Sequence, residues 1–128
     1  MNVLFVMIGG FLGAICRYLL GEWIHTAHGF PVGTLLINLI GCLFLGWFLT
    51  YVSQNKKIKP EITLLIGTGF VGSFTTFSTF SVEVMQLFGE GRFLIALFYI
   101  LSSLLLGLLL AGVGRRWALS NEKEGVKR

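Results

Sequence analysis

The sequence predicts an all-α membrane protein with four transmembrane helices, and three observations predict it. Apolar residue types make up 55% of the 128 residues and charged types only 12%, where a soluble domain carries roughly 25% charged. The charges are clumped, so that residues 1–16, 23–55, 62–82 and 93–114 contain no Asp, Glu, Lys or Arg. A helix needs about 20 mostly apolar residues to cross the hydrocarbon, and the runs place spans at about 2–20, 32–52, 62–87 and 93–116. The loops between them (21–31, 53–61 and 88–92) and the tail at 117–128 are too short to hold a soluble domain. We therefore read 1–128 as a single transmembrane domain whose function lies within the bilayer. No linker, low-complexity segment or internal repeat stands out. No nucleophile–base pair or metal-ligand set is visible, which disfavours an enzyme.

The first span, "GGFLGAICRYLL", lacks a basic residue ahead of its apolar run and a small-x-small cleavage site, so it reads as a retained helix and not a signal peptide. Gly9 and Gly13, like Gly10 and Ala14, are four apart, a spacing that lets a second helix approach closely. Arg17 either snorkels to the interface or draws anions toward a vestibule. His25 and His28 form an HxxH in the following loop, too few ligands for a metal. Cys16 and Cys42 lie within spans and read as small apolar fillers.

The second span, "GTLLINLIGCLFLG", carries Asn38 near its middle, with Thr34 one turn before it. An amide deep in hydrocarbon needs a partner. Asn38 is either helix–helix glue, worth ~1 kcal/mol, or a donor facing a pore. With two N–H groups and one carbonyl it suits an anion or a polar neighbour alike.

The third span holds "VGSFTTFSTFS" over 71–81. Six hydroxyls, at Ser73, Thr75, Thr76, Ser78, Thr79 and Ser81, lie nearly all round a helix. They are either self-satisfied by bonds to carbonyls one turn earlier or they serve a helix interrupted at about 72–79, whose freed backbone groups need local partners. Interrupted helices at mid-membrane are common ion sites. Phe74, Phe77 and Phe80 recur every three residues. They pack as core, or their electropositive edges face an anion. Glu83 follows as the most membrane-embedded acid. It is a proton site in a coupled carrier, or in a channel an acceptor that anchors hydroxyls. In the fourth span Tyr99, Ser103 and Gly107 form one stripe with Ser102 beside it, either a belt residue with fillers or a polar track.

The basic residues predict orientation. Four crossings put Lys56, Lys57, Lys59, Arg115, Arg116, Lys123, Lys127 and Arg128 on one side, against Arg92 and Arg17 on the other. The positive-inside rule then places both termini in the cytoplasm. The net charge of +4 is thus a topology signal and not a nucleic-acid patch.

These motifs resemble the Fluc (CrcB) fluoride channels of bacteria. The carriers are "GGFLGAICRY", "GTLLINLIGCLFLG" and "GFVGSFTTFSTFS" with Glu83, and the resemblance covers about residues 8–115. It implies an antiparallel, dual-topology-type dimer of four-helix subunits in the bacterial cell membrane, with the third helix broken and two fluoride pores. It implies that Asn38, Phe77, Phe80, Ser78, Thr79, Glu83, Tyr99 and Ser103 line or back the fluoride path, with Arg17 at the vestibule. It implies a structural sodium ion, not transported, held by the carbonyls of Gly72 and Thr75 and their counterparts in the other subunit. The family's next hydroxyl on the track is replaced here by Gly107. The eight-to-two charge bias favours one orientation per chain, so the expected partner is a related subunit inserted the opposite way, with a homodimer as the alternative. The rival function is a small proton-coupled multidrug exporter using Glu83. A second rival, a non-transporting assembly subunit, leaves the hydroxyl and phenylalanine cluster unexplained.

Overall fold

The computed structural model describes residues 2–24, 29–55 and 57–125, with side chains described through Ser120. In chain order it contains α1 (Asn2–Trp23), α2 (Val32–Gln54), α3 (Pro60–Thr63), a π-helical stretch over Leu64–Val71, α4 (Gly72–Phe74), α5 (Ser78–Gly89) and α6 (Phe93–Gly125). No β-strand occurs among the described residues. Four segments are long and apolar enough to cross a membrane: Asn2–Trp23, Val32–Gln54, Pro60–Gly89 and Phe93–Ser120. The protein is a multi-pass, all-helical membrane protein. Large apolar side chains such as Val3, Met7, Phe11, Leu94 and Leu108 point outward, exposed, as lipid requires and water would not tolerate.

Each span is bounded by local chemistry. Pro60 opens the third at its first turn, where no N–H is needed. Lys59 before it is extended, as a residue preceding proline must be. At the other end α5 stops in a Schellman turn. Arg92 N–H donates to the Leu87 carbonyl at 2.9 Å and Gly91 N–H to Phe88 at 3.0 Å, with Gly91 in the left-handed region at φ 73°. The Arg92 guanidinium then donates to the Gly29 carbonyl at 3.0 Å, tying the turn after α5 to the turn before α2. The last helix differs from expectation. The segment from 117, read as a tail, continues α6 to Gly125. The run "WALSNEKE" holds no Gly or Pro, and Ala, Leu, Glu and Lys favour helix. His25 and His28 lie outside the described residues, as do Lys56, Lys127 and Arg128.

Packing follows glycine faces. Gly9 and Gly13 are the buried residues of α1, and a side-chain carbon on either would run into the Leu65 or Phe70 carbonyl of the π-helical stretch. Val6 meets Gly69, and Gly13 meets Phe70 and Ser73. The partner numbers rise with those of α1, so the first and third spans run parallel. Ser73 Oγ, which donates to the Gly10 carbonyl, fastens the same contact. On the other side α2 lies along α6, with Cys42 beside Gly107, Gly46 against Ala111 and Trp47 against Gly114. Those numbers rise together too, so the second and fourth spans are also parallel. This is the pairing that four alternating crossings require. The remaining core joins α5 to α6 through Val84, Leu87, Ala96 and Tyr99.

Gly13→Leu places a branched side chain against backbone that cannot yield. Overpacking of this kind costs about 1–3 kcal/mol, so the variant should melt at a lower temperature in detergent than the parent. Gly21→Ala, with nothing near the added carbon, should melt as the parent does. Equal melting of both variants would remove the close contact.

Candidate functional site

The third span does not continue as a helix between α4 and α5. Thr75 N–H still donates to the Val71 carbonyl at 3.0 Å, but Thr75 itself is extended, at φ −77° and ψ 157°. Helical geometry returns at Phe77 (φ −94°, ψ −31°). In an unbroken helix Thr76 N–H would close on the Gly72 carbonyl. Here it donates to Asn38 Oδ1 at 2.8 Å, and Asn38 Nδ2 donates back to the Thr76 carbonyl at 2.9 Å. One side-chain amide thus satisfies both backbone polar groups of a single residue, the N–H and the carbonyl of Thr76. Thr79 N–H, the natural donor to the Thr75 carbonyl, goes instead to Thr76 Oγ1 at 3.2 Å. The Thr76 hydroxyl, one residue before the N-cap position at Phe77, thus takes up a first-turn N–H of the resumed helix. The same hydroxyl donates to Thr79 Oγ1 at 3.1 Å and lies 3.3 Å from Ser78 Oγ. Ser81 Oγ and Thr75 Oγ1 bond back to carbonyls four residues earlier, so these two hydroxyls are self-satisfied.

Two clefts meet at this interruption. The larger, about 490 Å³, is lined by Asn38, Gly72, Thr75, Phe77, Phe80 and Ser103 among others. The smaller, about 280 Å³, is lined by Arg17, Thr34, Thr79 and Glu83 among others. Thr76 lines both. Phe77 is 80% exposed at the mouth of the larger cleft. Its ring centre lies 5.9 Å from that of Phe80, which lies 5.0 Å from that of fully buried Tyr99. Behind the rings Glu83 accepts two hydroxyls: Thr34 Oγ1 donates to Oε1 at 2.7 Å and Tyr99 Oη to Oε2 at 2.8 Å. Ser103 Oγ is buried and has no hydrogen-bond partner among the described residues.

The residues singled out in the sequence sort accordingly. Asn38, Gly72, Thr75, Phe77, Phe80 and Ser103 share the larger cleft; Arg17, Thr79 and Glu83 share the smaller. Ser78 sits on the exposed rim beside Thr76. Tyr99 lies behind the cleft wall and reaches the site through Glu83. Gly107 packs beside Cys42 Sγ. Among the described residues no cluster of three or more His, Cys, Asp or Glu could hold a metal. Sequence reasoning missed two partners. Thr34 was read only as a neighbour of Asn38, and Thr76 only as one of six hydroxyls. The four-residue spacing of Thr34 and Asn38 was the available signal, since it puts both on one face of α2.

A family model, described as CrcB-like protein, Camphor Resistance (CrcB), matches residues 4–115. The chain is similar to a protein of Oceanobacillus iheyensis named Fluoride-specific ion channel FluC, 53% identical over 123 residues that cover 96% of this chain and 95% of the relative. A Bacillus cereus relative named Fluoride-specific ion channel FluC 1 is 51% identical over 117 residues, covering 88% of this chain and 85% of the relative. One from Synechococcus, named Fluoride-specific ion channel FluC, is 44% identical over 111 residues, 85% of each chain.

Thr34→Val and Tyr99→Phe each remove one donor from Glu83. Hydrogen bonds to a charged group are worth about 1.5–3 kcal/mol, so each variant should lose stability on that scale in a reversible unfolding titration. The double variant should depart from additivity, because the two donors share one carboxylate. Strict additivity would mean that the carboxylate does not link them.

Proposed function

This chain belongs to the CrcB-like family, and on that premise we propose that it is a fluoride-specific ion channel, a passive conductor and not an enzyme. It lets fluoride leave the cytoplasm across the bacterial cell membrane. The carrying observation is that one cleft gathers the Asn38 amide, the Phe77 and Phe80 rings and the unpartnered Ser103 hydroxyl. Fluoride is small and strongly hydrated, so a pore must replace its water with donors at close range. An amide N–H, hydroxyls and ring edges are such donors. Thr79, Ser78, Glu83 and Tyr99 extend and hold this polar surface, and Arg17 draws anions to its mouth. A cytoplasm held at negative potential favours anion exit by about 2.3 kcal/mol per 100 mV, so no fuel is needed.

The same reading includes a fixed, untransported sodium ion between two subunits. The Gly72 and Thr75 carbonyls fit that role, because the N–H groups that would close on them in a continuous helix are engaged elsewhere. Hard carbonyl oxygens suit a hard cation, and the ion would supply positive charge that holds two interrupted helices together. The same surface supports a covering partner, which the reading takes as antiparallel. Interrupted backbone is tolerated at membrane depth only where protein or a water-filled cavity covers it, and here Phe77 stands exposed beside that backbone. The one-sided distribution of Lys and Arg favours a related partner of opposite orientation, with both termini of this chain cytoplasmic. The exporter reading is weaker, since both Glu83 oxygens already accept hydrogen bonds.

The test is fluoride release from proteoliposomes, followed with a fluoride electrode. Rapid release of fluoride with little chloride is expected, and an impermeable, correctly assembled complex would sink the proposal. Phe80→Ile should slow release roughly two- to tenfold, as loss of an aromatic-edge contact of about 0.5–1.5 kcal/mol implies. Normal release would take that ring out of the path. For the partner, we expect the chain purified alone to be a poor conductor. Conducting dimers that contain both orientations, detected by sidedness of terminal labels, would establish a homodimer.

A further inference from the structure

We propose that the backbone N–H and carbonyl of Thr76 together form a positioning group that fixes Asn38 as a donor ligand, and thereby as a selectivity element. The inference rests on the channel reading above and concerns one side chain of it. A free asparagine amide is ambivalent. Rotated one way it offers N–H, rotated the other it offers a carbonyl, and it serves anions and cations alike. Here that freedom is gone. A peptide N–H can only donate and a peptide carbonyl can only accept. Thr76 N–H lies 2.8 Å from Asn38 Oδ1 and the Thr76 carbonyl 2.9 Å from Nδ2, so only one amide orientation satisfies both. The flipped amide would set donor against donor and acceptor against acceptor, at a depth where water does not compensate.

The consequence is chemical. Oδ1 is turned toward the Thr76 N–H, with one of its two lone pairs engaged. Of the two Nδ2 hydrogens one goes to the Thr76 carbonyl, and no partner among the described residues takes the other. Asn38 also lines the larger cleft with Phe77, Phe80 and Ser103. The amide is therefore fixed with its carbonyl turned toward the Thr76 N–H and with one N–H left to offer a ligand. An anion gains a contact, and a cation finds the side chain's oxygen already turned toward a donor. The arrangement exists only because the helix is interrupted. Were Thr75 helical, Thr76 N–H would close on the Gly72 carbonyl and Asn38 would be free to rotate. The interruption, which frees carbonyls on one side, thus locks a donor on the other.

The test uses the full chain labelled with ¹⁵N-asparagine, reconstituted in a preparation whose fluoride conduction has been measured. Asn38→Asp identifies the Asn38 side-chain pair among those of Asn2, Asn55 and Asn121 by its disappearance. Two inequivalent hydrogens are expected, and sodium fluoride should shift one of them while the hydrogen bonded to Thr76 stays in place. The proposal is overturned if both move together, if they merge through rotation, or if neither moves in protein that conducts fluoride. A correctly assembled complex that does not conduct fluoride at all counts against the channel reading. Two distinct, non-merging resonances would even then support the locked amide.

Discussion

Hydrocarbon offers no hydrogen bonds, and the particular features of this chain follow from its interrupting a helix there all the same. An unmatched peptide group at that depth is far costlier than one at a water-exposed surface. The chain meets the demand with two side chains. Asn38, from a neighbouring helix, takes both backbone polar groups of Thr76. Thr76 in turn caps the resumed helix through its hydroxyl. Both donors that would have hidden the Gly72 and Thr75 carbonyls are thereby diverted. The diversion of these donors and the stability of the interruption have one cause.

A second polar centre lies behind the first, and it works by acceptance. Glu83 is enclosed by Thr34 from α2 and Tyr99 from α6, one hydroxyl on each oxygen. A carboxylate in this setting orients hydroxyls, since each proton it accepts fixes the rotor that carries it. Tyr99 is fully buried and packs at a tilt against Phe80, with 5.0 Å between ring centres. Fixing its hydroxyl therefore also fixes the wall on which the Phe80 ring rests. The rings that face the cleft are held by polar contacts that do not face it.

Much of this was legible in the sequence, for reasons that differ between features. The four spans follow from uncharged length alone, and the structure places helices on all four, with α6 longer because nothing after Arg116 stops a helix. The Gly9–Gly13 face was readable because close helix contact needs small residues at that spacing, and these are the buried positions of α1. The hydroxyl cluster signalled local backbone demand without saying which hydroxyls meet it. Ser81 and Thr75 turn out self-satisfied, whereas Thr76 caps. The role of Asn38 stayed open between glue and donor, since one sequence cannot tell which backbone group lies across from an amide. The contact with Thr76 spans 38 positions, and such pairings are set by packing, not by local pattern.

The helix that organises the site is the one that is not interrupted. Thr34, Asn38 and Gly41 recur at three- and four-residue intervals on one face of α2. They meet Glu83, Thr76 and Thr75 in that order. One set of numbers rises as the other falls, so α2 runs antiparallel to the third span and serves as its template. Each position does something different: a hydroxyl for a carboxylate, an amide for the backbone N–H and carbonyl of one residue, and at Gly41 an absent side chain that leaves room for the Thr75 methyl. A helix advances about 1.5 Å and turns about 100° per residue. A one-residue slip in α2 would therefore swing all three positions off the interruption at once. An irregular segment this exacting can persist in lipid because its neighbour is regular. The straight helix carries the positional information, and the interrupted one conforms to it.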